Sequence, residues 1–139
     1  MGYVILGELI EIYTGKSLDG GIKELLGLEK LGIDQTDFER IDSLTDQLRI
    51  HQYFQGKDTY EFSPTMDYYG GGGILSNTAD LIDFFQALFQ GKIFDNPATL
   101  ELMLKPGTYP IKPKLDYGMG MFKVQVNNMD AYCHSGFWG

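Results

Sequence analysis

Residues 2–14, GYVILGELIEIYT, limit the fold more than any other stretch. Tyr3, Val4, Ile5, Leu6, Leu9, Ile10, Ile12 and Tyr13 are apolar or aromatic, and only Glu8 and Glu11 are clearly polar. A helix with apolar side chains at nearly every angular position has no single solvated face, so the pattern predicts a helix buried on most sides. Gly15 stands where a helix C-terminal glycine belongs, and Lys16 suits the negative end of the dipole. A helix of this kind needs neighbours, and the expectation is that further chain precedes it. His134-Ser135-Gly136-Phe137-Trp138-Gly139 reads as a strand without a closing element, which gives the same expectation at the other end.

Between the ends the pattern is mostly helical. Residues 19–26 read as a short amphipathic helix and residues 27–36 as turns, while residues 37–55 carry only weak helical spacing at Phe38, Ile41, Leu44 and Leu48. Residues 53–69 read as an aromatic loop or irregular hairpin, and Gly70 to Gly73 form a four-glycine run. The best-defined helix follows. Ser76, Asn77 or Thr78 caps it, Asp80 sits in its first turn, and Leu81, Ile82, Phe84, Phe85, Leu88 and Phe89 form the expected buried stripe up to Gly91. Asn96-Pro97 opens another helix that runs to Lys105. From Tyr117 the period changes: Phe122, Val124 and Val126 alternate with Lys123 and Gln125, then a turn over residues 127–130 leads into a second strand over residues 131–135.

Composition narrows the function classes. A chain of 139 residues, 43% hydrophobic and 14% aromatic, suits one compact domain or a large part of one. The net charge of -8 argues against nucleic acid, which demands clustered Lys and Arg. With Cys133 as the lone cysteine, no internal disulfide and no cysteine-based zinc site can form. No apolar run reaches the length of a membrane span, and residues 1–20 lack the basic start and apolar core of a signal peptide. The compartment stays open, because a secretion signal could lie upstream of these residues.

Three stretches invite a chemical reading. The glycine run precedes a helix, but no G-x-G-x-x-G or Gly-Lys-Ser/Thr accompanies it. Its expected role is tight backbone passage at positive φ. His51 and His134 lie far apart, with no acid at ligand spacing, so no metal site is expected, and His51 reads as a surface or loop histidine. His134-Ser135-Gly136 at a strand end is different. It sets a titratable ring, a hydroxyl and a bare backbone on one sheet edge, which suits an extended amide substrate and a developing oxyanion.

Taken in order, five segments resemble one family. Gly2 to Glu11 with Thr14-Gly15-Lys16 resembles the helix after the active-site tyrosine in serine β-lactamases of class C type and related penicillin-binding proteins. Leu26-Gly27-Leu28 with Thr36, Gly71 to Leu81, and Tyr117 to Met121 resemble that family's Leu-Gly-Met…Thr, Gly-Gly-Leu-x-Ser-Thr-x-x-Asp-Leu and Tyr-Gly-Leu-Gly-Trp segments. His134-Ser135-Gly136 with Gly139 resembles its third active-site motif.

The resemblance implies an α+β, β-lactamase/transpeptidase-like fold, with residues 1–106 in its helical part and residues 115–139 as strands of its antiparallel sheet. It implies acyl transfer through a serine nucleophile, with no cofactor and no metal. On these residues His134 and Ser135 would be catalytic, His134 as the polar or cationic group of the proton network and Ser135 as a substrate hydrogen-bond partner. Gly136 and the backbone N–H of Phe137 would bind substrate, the latter as an oxyanion donor. The implied partner is a small molecule or peptide, a β-lactam or D-alanyl peptide, and the hairpin is expected to pack on the helices or pair with another chain. The family's usual location, outside the bacterial cytoplasm, follows only by resemblance.

Departures from the family pattern matter. None of Ser17, Ser43, Ser63, Ser76 and Ser135 has Lys three positions on, so these residues contain no Ser-x-x-Lys. Tyr3 belongs to the helix and is not the second-motif tyrosine. The expectation is an internal or C-terminal piece, inactive alone. β-Lactamase, D-alanyl-D-alanine carboxypeptidase, D-amino-acid peptidase and esterase all remain open for the whole protein. His in place of Lys leans towards the peptidase and esterase group. A non-catalytic binding module of the same fold is the competing class.

Overall fold

The structure is a computed structural model, and it describes residues 2–39, 50–60, 69–108 and 116–136. The order is α1 (Gly2–Thr14), α2 (Leu18–Leu26), β1 (Asp37–Phe38), β2 (Tyr53–Phe54), β3 (Lys57–Asp58), β4 (Ile74–Leu75), α3 (Thr78–Phe89), α4 (Pro97–Leu104), β5 (Asp116–Tyr117), β6 (Phe122–Val126) and β7 (Met129–Cys133). The described residues divide into two compact units, one within residues 2–85 and one within residues 86–136.

In the first unit α1 and α2 cross at small residues. A Cβ on Gly21 would come within 2.8 Å of both Ile10 Cγ2 and Thr14 Oγ1, so glycine is required for the approach. Glu11 locks the crossing, because its Oε1 accepts from the Leu18 backbone N–H at 2.8 Å. That amide is one of the donors left unpaired at the start of α2. Gly15 closes α1 at φ 66, as the sequence predicts, and Gly27 closes α2 at φ 64.

The expectation that α1 is buried on most sides does not hold among the described residues. Only Gly7 is buried, while Ile12 is 70% and Tyr13 82% exposed. The helix touches its described neighbours through the narrow strip around Gly7, beside Leu18 and Tyr69, and its wide apolar perimeter stays uncovered by them.

The glycine run behaves as expected. Gly70 and Gly73 both take φ 79, and a Cβ on Gly70 would run into the Tyr3 carbonyl. The turn before it is held by the Tyr69 hydroxyl, which donates towards Glu8 at 2.9 Å and Glu11 at 2.6 Å. These carboxylates, Glu11 foremost, push the phenol's pKa well above its ordinary value.

Residues 37–38, where the sequence pattern is ambiguous, form a strand. β1 pairs antiparallel with β4, Asp37 opposite Leu75 and Phe38 opposite Ile74. Ile41, Leu44 and Leu48 lie outside the described residues. β2 and β3 form the irregular hairpin, turning at Gln55 and Gly56 with φ 50 and 78.

Of the three candidate caps of α3, Asn77 serves: its Oδ1 accepts from the Asp80 N–H at 2.9 Å. The buried stripe differs from the one predicted. Asp80, Ala87 and Leu88 are buried with Phe84 half-buried, a row at i, i+4, i+7 and i+8, whereas Leu81, Ile82, Phe85 and Phe89 are exposed. One helix face of this width holds about four positions, so the other apolar side chains fall beside it or behind it. An apolar hollow of about 150 Å³ lies in this unit among Ile22, Leu28, Phe38, Leu81 and Phe84.

In the second unit α4 starts as the sequence predicts, with Asn96 Oδ1 accepting from Ala98 N–H at 3.0 Å and Pro97 in the first turn. The sheet has the order β5-β6-β7, one strand more than the expected hairpin. The β6–β7 turn is two residues, Asn127 and Asn128 at φ 50 and 63, the left-handed pair that suits the twist of a tight hairpin. β7 therefore begins at Met129 rather than residue 131, and it ends at Cys133 rather than 135. Among the described residues no helix is long and apolar enough to cross a membrane.

Candidate active-site edge

The hairpin brings His134, Ser135 and Gly136 together directly beyond the last residue of β7, all three exposed. Phe137 lies outside the described residues. The strand that presents them is held in register by Phe122 opposite Cys133, Val124 opposite Ala131 and Val126 opposite Met129. At the turn end Asp130 accepts from Gln125 and pairs with Lys123 at 2.5 Å. That pairing raises the Lys123 pKa and lowers that of Asp130.

The face opposite the Phe122–Cys133 pair is covered at one point by α3, where Phe89 meets Tyr132 with ring centroids 5.8 Å apart. The other face carries a ring cluster. Tyr117 of β5 lies opposite Phe122 of β6 and stacks on it at 6.3 Å, and His134 packs against both, 6.0 Å from Tyr117 and 6.3 Å from Phe122. His134 Nε2 is 3.0 Å from the Tyr117 hydroxyl.

A continuing pleat would send His134 to the side away from Cys133 and Phe122, because successive residues alternate. The strand stops at Cys133, the alternation breaks there, and the imidazole joins the cluster. Sequence reading placed His134 at a strand end but gave Tyr117 no part. The available signal was the short Tyr117-to-Phe122 return, which sets the two rings on neighbouring strands.

The backbone around Tyr117 is tied to α4. Gly107 N–H donates to the Tyr117 carbonyl at 2.8 Å, and Met119 N–H donates to the Met103 carbonyl at 2.7 Å. A Cβ on Gly118 would run into that same Met103 carbonyl, so glycine is the residue that lets the sheet meet the helix end.

The other histidine is built differently. His51 Nδ1 lies 2.7 Å from Asp58 Oδ2, and its ring stacks on Tyr60 at 4.1 Å. The sequence spacing offered no acid partner for it, but the β2–β3 hairpin supplies one. The Tyr60 backbone N–H, and then His51, hold Asp58 below the usual carboxylate range. Among the described residues no three His, Cys, Asp or Glu side chains gather as metal ligands.

The Ser76-Asn77-Thr78-Ala79-Asp80 segment holds the chain together. Asp80 Oδ2 accepts from the Gln35 backbone N–H at 2.9 Å and from Thr36 Oγ1 at 2.8 Å, and Thr36 Oγ1 lies 2.8 Å from Ser76 Oγ. One buried carboxylate thus ties the loop before β1 to the start of α3.

An α+β chain with this order of helices and antiparallel strands has the β-lactamase/transpeptidase-like fold. It matches the crystal structure of D-amino acid amidase from Ochrobactrum anthropi SV3 complexed with L-phenylalanine at a TM-score of 0.77 and 24% identity, over 96% of this chain and 40% of that one. The penicillin binding protein from Bacillus halodurans matches at a TM-score of 0.71 and 17% identity, over 94% of this chain and 41% of that one. This chain thus spans about two-fifths of the length of those structures. Its sequence matches the Beta-lactamase family model over residues 1–139, and the chain belongs to that family. No curated protein matches it.

Proposed function

We propose that these residues supply the substrate-flanking edge of a serine hydrolase that works through an acyl-enzyme on a β-lactam or a D-amino-acid amide or peptide. The observation that carries the reading is the exposed His134-Ser135-Gly136 run beyond β7, in a chain whose family match extends over all 139 residues. An exposed strand end can take an extended amide alongside it, as sheet edges do. Ser135 would hydrogen-bond the substrate, Gly136 would leave the edge open, and the Phe137 N–H would face the developing oxyanion. His134 would lend polarity or charge beside the substrate and its proton network. Residues 1–106 would belong to the helical part and residues 115–139 to the sheet.

The nucleophile is assigned elsewhere, since no serine of this chain is followed by Lys at the third position. Substrate preference within the class is drawn from the family. His in place of Lys at the third motif and the likeness to a D-amino acid amidase favour amides and peptides over penicillins. The test is intact-mass spectrometry of the 139-residue chain after exposure to benzylpenicillin and to D-phenylalanine amide. Unchanged mass is expected, and a stoichiometric covalent adduct would show that the chain carries its own nucleophile.

A further inference from the structure

We propose that Tyr117 is a positioning residue for His134, holding the imidazole as the tautomer protonated at Nδ1. The inference rests on the reading of His134 as part of the substrate edge and adds a residue to it.

The geometry is a phenol fixed at its root facing an imidazole that is not. Tyr117 sits in the β5–β6 ladder with its carbonyl bound by Gly107 N–H, and its neighbour Gly118 donates to the Met121 carbonyl at 2.8 Å. His134 lies beyond the end of β7, where no ladder bond orients it. The rings of Phe122 and Tyr117 limit its rotation, and the 3.0 Å contact selects one nitrogen.

The direction of that bond follows from the two groups. A neutral imidazole nitrogen is a good acceptor, whereas the phenol oxygen shares its lone pair with the ring and is a better donor than acceptor. The Tyr117 O–H therefore donates to Nε2, and the ring proton resides on Nδ1. His134 then offers an N–H at Nδ1, which selects substrates presenting an acceptor there, a carboxylate or a carbonyl oxygen.

His51 is the internal reference. Its Nδ1 faces the Asp58 carboxylate, which can only accept, so the same tautomer arises from the opposite side of the ring. The chain has two histidines, so each ring can be followed separately. The experiment is nitrogen-15 NMR of the imidazoles in the full 139-residue chain at a pH where both are neutral, for the native sequence and for Tyr117→Phe.

The native chain is expected to show Nδ1–H as the predominant form at both rings. In Tyr117→Phe, His134 should move to predominantly Nε2–H while His51 stays unchanged. Predominant Nε2–H at His134 in the native chain, or Nδ1–H persisting there in the variant, overturns the proposal. If Tyr117→Phe does not fold, the native spectrum alone decides. No ligand is involved, so a covalent adduct in the mass experiment would move the nucleophile into this chain and leave this result standing, while a failed tautomer result would leave the mass experiment standing.

Discussion

Asp80 and His134 each sit in a segment that resembles a family motif, yet the structure uses them in opposite ways. Asp80 is buried, with one carboxylate oxygen accepting from both Gln35 and Thr36 and its own N–H taken by Asn77. His134 is exposed, with one described hydrogen-bond partner, and the exposed Ser135 and Gly136 follow it. A buried motif residue bonded to two distant segments is holding the chain together. An exposed ring just beyond a strand end, with its Nδ1 given no described partner, does not serve the packing in that way.

The largest effect that separates the two is at Asp80. Asp80→Ala removes the carboxylate acceptor of the part-buried Gln35 amide and Thr36 hydroxyl, and a hydrogen bond to a charged group contributes about 1.5–3 kcal/mol. Chemical denaturation should show a loss of about 3 kcal/mol. A loss below ~0.5 kcal/mol, the range of an ordinary surface change, would break the contrast.

Gly118→Ala comes next, at about 2 kcal/mol, because the new methyl meets the Met103 backbone carbonyl, which cannot turn aside. It sharpens the comparison by locating the edge's support behind it, where the sheet meets α4. Thermal melting of the variant checks it. Asn96→Ala should cost about 1 kcal/mol through the lost cap of α4, with little change at the His134 ring in the NMR spectrum.

The smallest expected effect is His134→Ala, within ~0.5 kcal/mol of native stability, since an exposed ring beyond the ladder contributes little to folding. A loss as large as that at Asp80 would make His134 structural and remove the distinction.

A pH test addresses the packing of the first unit. Tyr69 has its folded pKa raised, chiefly by Glu11, so the neutral phenol is favoured in the folded chain. Its contribution is fully present below the ordinary tyrosine pKa of about 10, and it is lost as pH rises through the higher folded value. Tyr69→Phe should flatten the alkaline fall in melting temperature, and an unchanged alkaline profile would place the hydrogen bonds to Glu8 and Glu11 outside the stability of this unit.

Much of the fold is legible in the sequence because its signals are local. Glycine at Gly15 and Gly27, Asn96 before Pro97, and the switch to period two after Tyr117 each act within a few residues, and α1, α2, α3, α4 and β6 appear where those signals place them. What could not be read depends on partners distant in sequence. The apolar perimeter of α1 reports what a helix can bury and not which neighbours reach it, and among the described residues few do. The α3 stripe was misread because Asp80, a polar residue, occupies the buried row once Thr36 and Gln35 satisfy it.

The candidate edge divides in the same way. His134-Ser135-Gly136 at a strand end is visible from residue order, whereas Tyr117 enters only through the β5–β6–β7 register and through a pleat that stops at Cys133. Asp58 beside His51 likewise depends on a hairpin too short to show a period.

The central claim, that this edge serves a nucleophile carried by the same protein, is tested most directly by sequencing the source DNA upstream of Met1. The account predicts a continuing reading frame with a Tyr-x-Asn shortly before residue 1 and a Ser-x-x-Lys further back. A stop codon in that frame ahead of Met1, with neither motif between, would contradict it and leave a binding role for the His134 edge.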